Sequence, residues 1–169
     1  ISNPKVALLA NGEEPGKGNQ LVKDAHPLLK ASSLNFYGNV EPKEIFAGEV
    51  DVVVADGFSG NVFIKTSEAV GKFILTNIRD EIKASLLTSL GGLLAKPAFN
   101  KLRRLMDPAE VGAAMLLGVD GYVFIGHGRS NDRALLSGLK LAKRAVDSGL
   151  LEAMKTSIQE KLSNLTYQR

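Results

Sequence analysis

The stretch "VDVVVADGFSGN", Val50 to Asn61, constrains the fold more than any other part of the chain. Val50, Val52, Val53 and Val54 leave little polar surface over the length of a strand. A nearly continuous β-branched run of this kind marks a parallel strand covered on both faces. The run stops at Asp56. Gly57, Phe58, Ser59, Gly60 and Asn61 follow at once, and helical spacing resumes from about Val62. A strand that feeds a glycine-framed polar loop and then a helix is the local pattern of an α/β protein.

The rest of the chain repeats that alternation. "KVALLA" (5–10) has strand length, and "NGEEPGKGN" (11–19) is a loop punctuated by Gly and Pro. Leu21, Ala25, Leu28 and Leu29 give 19–32 helical spacing, with Pro27 predicting a kink or an early stop. "LNFYG" (34–38) reads as a strand and "PKEIFAG" (42–48) as a short helix that Gly48 ends. A long helical region, 61–117, is predicted to break at Gly91–Gly92 and again at Asp107–Pro108. Asp107 as cap, Pro108 behind it and Glu110 two residues further make that second break a good helix start. "YVFIG" (122–126) reads as a further buried strand. Helix returns after 130, with Gly149 as a divider. The expected architecture is three-layer α/β/α with a mostly parallel sheet.

Ligand sites in such sheets lie beyond the carboxyl ends of the strands. Three polar, glycine-rich loops follow strands here: "NGEEPGKGN", "DGFSGN" and "GHGRSN". In the second, Gly57 and Gly60 permit positive φ, Ser59 and Asn61 can donate or cap, and the next helix offers its positive end to an anion. In the first, Lys17 stands between glycines and Asn19 can cap a helix, an arrangement suited to phosphate or a developing oxyanion. In the third, His127 lies between two glycines at a strand end, where proton transfer is chemically open to it. Each loop taken singly also suits an ordinary capped turn or a solvated charged loop. Three of them on one sheet edge point to an anion site, with phosphate the leading ligand. His26, on a helix before Pro27, reads as structural or solvent-facing.

Composition removes other chemistries. The 169 residues include no cysteine, which excludes disulfides, thiolate catalysis and zinc-thiolate sites. The net charge of +3 and the absence of tryptophan argue against a nucleic-acid partner. No apolar run approaches the roughly 20 residues of a membrane span. The opening "ISNPKVALL" enters a strand without an initiator methionine, so the chain is expected to be a piece of a longer protein.

Together, "NGEEPGKGN", "NFYGNVEPKEIF", "VDVVVADGFSGNVFIKTSEAV" and "GHGRSN" resemble the bacterial phosphate acyltransferase family, in order and spacing, from Lys5 to about Val146. Members of that family are longer and begin with another α/β segment, so residues 1–169 correspond to the C-terminal part of one catalytic unit. The family fold is similar to those of phosphotransacetylases and isocitrate dehydrogenases. Many members read "LLNVG" where this chain has "LLANG", and "HGSS" where it has "HGRS", which puts Arg129 in place of a small hydroxyl.

The resemblance implies an enzyme that makes acyl phosphate from acyl-acyl carrier protein and inorganic phosphate for phospholipid and fatty acid synthesis, with no cofactor and no metal. It implies that Lys17 and Asn61 are catalytic: Lys17 neutralises phosphate or developing charge, and Asn61 donates to phosphate or the carbonyl oxygen. Asn19 and Asp56 would orient them. Gly57, Ser59 and Gly60 would help bind phosphate, and His127 would contact substrate or move a proton. A phosphotransacetylase-like enzyme using acyl-coenzyme A, and a non-catalytic domain binding anions or lipid surfaces, are the competing expectations.

The stretch "KASLLTSLGGLLAKPAFNKLRRLM" (83–106) carries a different message. Leu86, Leu87, Leu90, Leu93 and Leu94 surround the Gly-Gly pair, and Lys96, Lys101, Arg103 and Arg104 follow. A helical hairpin with an apolar tip and basic flanks suits a membrane interface. It equally suits packing between two copies. The family resemblance implies both, a homodimer in the cytoplasm associated peripherally with the membrane through about 86–106.

Overall fold

The computed structural model of the chain describes residues 1–128 and 130–166. Arg129, singled out above, lies outside the described residues. The chain divides into two compact units, Ile1–Asp80 and Glu81–Arg169.

The first unit holds strands β1 (Val6–Leu9), β2 (Phe36–Val40) and β3 (Val52–Val54), with helices α1 (Gln20–Lys30), α2 (Pro42–Ala47) and most of α3 (Gly57–Ile82). The three strands form a parallel sheet in the order β2-β1-β3. Ala7 pairs with Gly38 on one side and Val53 on the other. The core lies on β1: Val6, Ala7 and Leu8 are buried, joined by Val22 of α1 and Val40 of β2. The valine run was expected to be the covered strand, yet Val52 is 42% exposed and Val54 similar. Among the described residues β3 is bonded on one side only, whereas β1 has a partner on each.

Capping sets the helix bounds. Asn19 is extended, and its Oδ1 accepts the Val22 N–H at 3.0 Å. α1 runs through Pro27 without stopping, and the Ala31 N–H closes on the Pro27 carbonyl at 3.0 Å. Proline there removes one hydrogen bond, a loss the packed helix tolerates. α2 has Pro42 at its start, a reciprocal cap between Glu41 and Glu44, and left-handed Gly48 at its end.

The second unit contains α4 (Leu86–Leu105), a 3-10 turn (Pro108–Glu110), strands β4 (Ala113–Met115) and β5 (Phe124–Gly126), α5 (Asp132–Asp147) and α6 (Leu150–Thr166). The expected break at Gly91–Gly92 is absent, and α4 passes straight through both glycines. The break lies at 83–85, where Ser85 and Thr88 cap each other's backbone and Thr88 Oγ1 reaches the Ile82 carbonyl at 3.0 Å. Gly92 serves packing: a Cβ there would stand 2.3 Å from Ile82 Cγ2.

Asp107 does start a turn, accepting the Ala109 N–H at 3.0 Å, but the predicted helix ends within one turn. Gly112 adopts φ +78° and presses on α5, where a Cβ would meet the Ala134 carbonyl oxygen at 2.1 Å. The chain then enters β4, which pairs antiparallel with β5. "YVFIG" is therefore not a member of the parallel sheet, and Ile125 is exposed. Asn131 Oδ1 caps α5 through the Ala134 N–H, and Gly149, at φ +64°, separates α5 from α6 as expected. Arg133 ties α5 to the 3-10 turn through Asp107 and Glu110. Among the described residues no helix is long and apolar enough to cross a membrane.

Candidate functional site

β1 and β3 are adjacent and parallel, so the loops that leave them start at the same edge of the sheet. The chain from β1 turns towards β2, and the chain from β2 returns past β1 to β3. The β1–β3 pair is thus where strand order reverses, the usual position of a ligand crevice in open α/β sheets.

Among the described residues one side-chain hydrogen bond joins the two loops. Asn19 Nδ2 donates to Asp56 Oδ2 at 3.4 Å while Asn19 Oδ1 caps α1. The other oxygen of Asp56 accepts the backbone N–H groups of Phe58 at 2.9 Å and Ser59 at 2.8 Å. The Ser59 backbone and hydroxyl, then Asn19 and the Phe58 N–H, stabilise the carboxylate against its desolvation and hold Asp56 below the usual carboxylate range.

This geometry revises the reading of "DGFSGN". The cap of α3 is Asp56, and the helix begins at Gly57 rather than near Val62. Gly57 and Gly60 have no positive φ. Gly60 instead allows close approach, since a Cβ there would lie 3.3 Å from Ala55 Cβ. The Ser59 N–H goes to the Asp56 side chain and the Gly60 N–H to the Asp56 carbonyl. These donors are turned inward. Gly57 at the first helical position and Asn61 one turn further are both exposed.

The first loop is built as a nested turn. Asn11 Oδ1 accepts the Gly18 N–H at 2.9 Å, and the Lys17 N–H donates to the Glu14 carbonyl at 2.9 Å. Gly18 does need its freedom: φ is +95°, and a Cβ would stand 2.6 Å from Val22. The stem of Lys17 crosses Gly12, where a Cβ would be 2.7 Å from Lys17 Cγ. Lys17 is exposed, and its ammonium makes no ion pair among the described residues.

His127 belongs to the second unit and follows β5, which pairs with β4 and is not a strand of the parallel sheet. It is exposed, and its carbonyl accepts the Ser130 N–H at 2.9 Å in a tight turn. His26 is structural, buried in α1 and edge-on to Phe36 at 5.2 Å between ring centres.

One carboxylate cluster merits a test as a metal site. Oxygens of Glu13, Glu41 and Glu44 lie within 4.8 Å of one another. Lys43 Nζ already bonds all three, at 2.8, 3.2 and 3.2 Å, and these contacts push its pKa up. The lysine supplies the positive charge that a cation would otherwise bring.

Sequence reasoning overlooked Asn39, which is buried and donates to the Glu14 carbonyl at 2.9 Å. Its signal was a polar side chain next to a strand pattern, in "NFYGNV". The strand was placed two residues too early, at 34–38, so Asn39 fell outside it.

Residues 1–153 match the family model described as "Fatty acid synthesis protein". The chain is similar to the phosphate acyltransferase of Carboxydothermus hydrogenoformans, 48% identical over 151 residues, which cover 89% of this chain and 46% of that protein. It is likewise similar to the phosphate acyltransferase of Aquifex aeolicus, 46% identical over 95% of this chain and 49% of the relative. That of Dictyoglomus turgidum is 48% identical over 98% of this chain and 48% of the relative. The chain spans about half the length of these curated relatives. With a match that runs from the first strand through the last loop-bearing unit, this chain belongs to the fatty acid synthesis protein family.

Proposed function

We propose that this chain forms part of a phosphate acyltransferase, which converts acyl-acyl carrier protein and inorganic phosphate into acyl phosphate for phospholipid synthesis. The observation that carries the reading is the Asn19–Asp56 bridge, which gathers the Lys17 loop and the start of α3 at the strand-order reversal. The names of the relatives support the same activity.

In the proposed step a phosphate oxygen attacks the thioester carbonyl. The C–O bond forms, a tetrahedral oxyanion develops, and the C–S bond breaks with its electron pair leaving on the carrier's sulfur. Phosphate is already an anionic nucleophile, so the protein must position it and absorb charge. Lys17, unpaired and exposed, offers a mobile ammonium for phosphate or the oxyanion. Asn61 offers an uncharged donor one helical turn beyond Gly57. Asp56 is negative, but its oxygens are engaged by Phe58, Ser59 and Asn19, which limits its repulsion of phosphate. Because Asp56 takes the Phe58 and Ser59 N–H groups, anion contact falls mainly to Lys17, Asn61 and the Gly57 backbone. Ser59 and Gly60 then shape the turn.

The test is acyl phosphate formation by the full-length enzyme, trapped as hydroxamate, with acyl-acyl carrier protein and acyl-coenzyme A as rival donors. Product from the carrier protein supports the proposal. Product from coenzyme A alone would make the enzyme phosphotransacetylase-like, and product from neither would favour a binding domain.

The leucines of α4 support a peripheral membrane role in the cytoplasm. No side chain of this helix is buried, Leu86 is 93% exposed, and Leu87, Leu90, Leu93, Leu94 and Leu105 are exposed too. Lys96, Lys101, Arg103 and Arg104 share the helix and would be drawn to anionic lipid. A homodimer presenting two such helices would strengthen the contact.

A further inference from the structure

We propose that Asn39 is a positioning residue for Lys17, holding the turn that presents the lysine; the inference rests on the catalytic reading of Lys17 above. Asn39 is only 3% exposed, on β2, a strand position that asparagine seldom favours. Its Nδ2 donates across 25 residues of sequence to the Glu14 carbonyl, at 2.9 Å. The same carbonyl accepts the Lys17 N–H at 2.9 Å. One oxygen therefore ties the loop's turn both to the lysine's own backbone and to the buried edge of the sheet. From the other side, the Lys17 stem rests over Gly12 so closely that a Cβ would stand 2.7 Å from Cγ. The backbone is anchored by Asn39 and the stem is seated on Gly12, which together set where the ammonium can reach.

Asn39 is also poorly chosen for stability alone. Its Oδ1 is buried and has no hydrogen-bond partner among the described residues. A buried acceptor left unmatched opposes folding, and a small apolar residue would avoid it. The side chain is explained by what its Nδ2 does for the loop. The conformation that Asn39 enforces lies outside the reacting centre, and misplacing a catalytic group by an ångström can reduce a rate by about a hundredfold.

The test is a double-mutant cycle in the full-length enzyme with Asn39→Ala, Lys17→Ala and the pair, reading kcat and the KM for phosphate separately. Asn39→Ala should lower kcat roughly tenfold to a hundredfold, with the urea midpoint unchanged or raised. In the Lys17→Ala background it should cost almost nothing further. Asn39→Ser, which restores a donor, should recover part of the loss, and it takes over the cycle if Asn39→Ala does not fold. Amide exchange at Lys17 should quicken in Asn39→Ala, because its hydrogen bond to Glu14 loses its anchor. Losses that multiply in the double variant, or an Asn39→Ala enzyme with wild-type kcat beside a crippled Lys17→Ala, would overturn this inference alone. A fully active Lys17→Ala would overturn the reading of the lysine, and this inference with it.

Discussion

The Lys17 loop and helix α4 are both polar-and-glycine punctuated in sequence, and they are held in opposite ways. The loop is short and exposed, yet its Glu14 carbonyl is tied to the buried Asn39, Asn11 closes the turn on Gly18, and Asn19 bridges to Asp56. α4 is long and regular, yet it buries no side chain, and its start is held by the Ser85–Thr88 cap and by contacts with Ile82. In the first region tertiary contacts fix an irregular chain, and under the proposed function they aim the charge of Lys17. In the second, regular structure is the support for an apolar surface turned outward. A substitution in the loop should therefore act on rate, and one in α4 on what the protein adheres to.

The largest expected effect tests the first half of that contrast. Lys17→Ala should reduce turnover by roughly a hundredfold or more, the scale of losing one donor to a developing oxyanion. Equal turnover in steady-state assays would make "GKG" a solvated loop and dissolve the difference between the two regions. Asn61→Ala sharpens it further. Asn61 lies inside α3, beyond the Asp56 cap, so no cap is lost and alanine adds up to about 0.7 kcal/mol of helix propensity. Turnover should fall while urea denaturation shows equal or greater stability. A variant that simply unfolds would assign Asn61 to the fold.

On α4, Leu90→Glu with Leu93→Glu should release the protein from anionic vesicles in flotation, with soluble-substrate turnover preserved. Nearby basic residues contribute about 1 kcal/mol each at a lipid surface, so wild-type binding should weaken as salt rises. If sedimentation instead shows the double variant becoming monomeric while the wild type never floats, the leucines pack between copies and the membrane role fails.

Two smaller effects separate the glycines and the acid. Gly18→Ala should destabilise by about 1–3 kcal/mol, since its φ of +95° is held against Val22. Gly60→Ala should change thermal stability less, because helix propensity gained is set against a tight but movable contact with Ala55. Asp56 adds a pH dependence of known sign. Its pKa is depressed in the folded chain, so its contribution to stability is full above about pH 4 and is lost as pH falls through the folded value. Asp56→Asn should lower the urea midpoint at neutral pH and flatten this acid dependence. An unchanged acid limb in the variant would show that the Asp56 hydrogen bonds contribute nothing to folding.

Local chemistry was enough to determine much of this protein. Caps at Asn19 and Gly48, the divider at Gly149, and the alternation of short apolar runs with helical spacing depend on neighbours within a few residues, so they are legible in order along the chain. The loops that carry Lys17 and Asp56 were legible for the same reason. What tertiary structure decided were matters of partnership. The valine run looked buried, but Val52 and Val54 are exposed, while the blander "VALL" became the core strand. Gly92 and Gly60 looked like points of freedom, but each allows close approach to a neighbour, which no local pattern reports. After Gly112, packed against α5, the chain enters a strand where the sequence signalled a helix, and β5 pairs with β4 rather than in the parallel sheet. Asn39 acquired its meaning only from a carbonyl 25 positions away. A sequence records a residue's own preferences, whereas burial, sheet membership and hydrogen-bond partnership belong to pairs of residues and exist only once the chain has closed on itself.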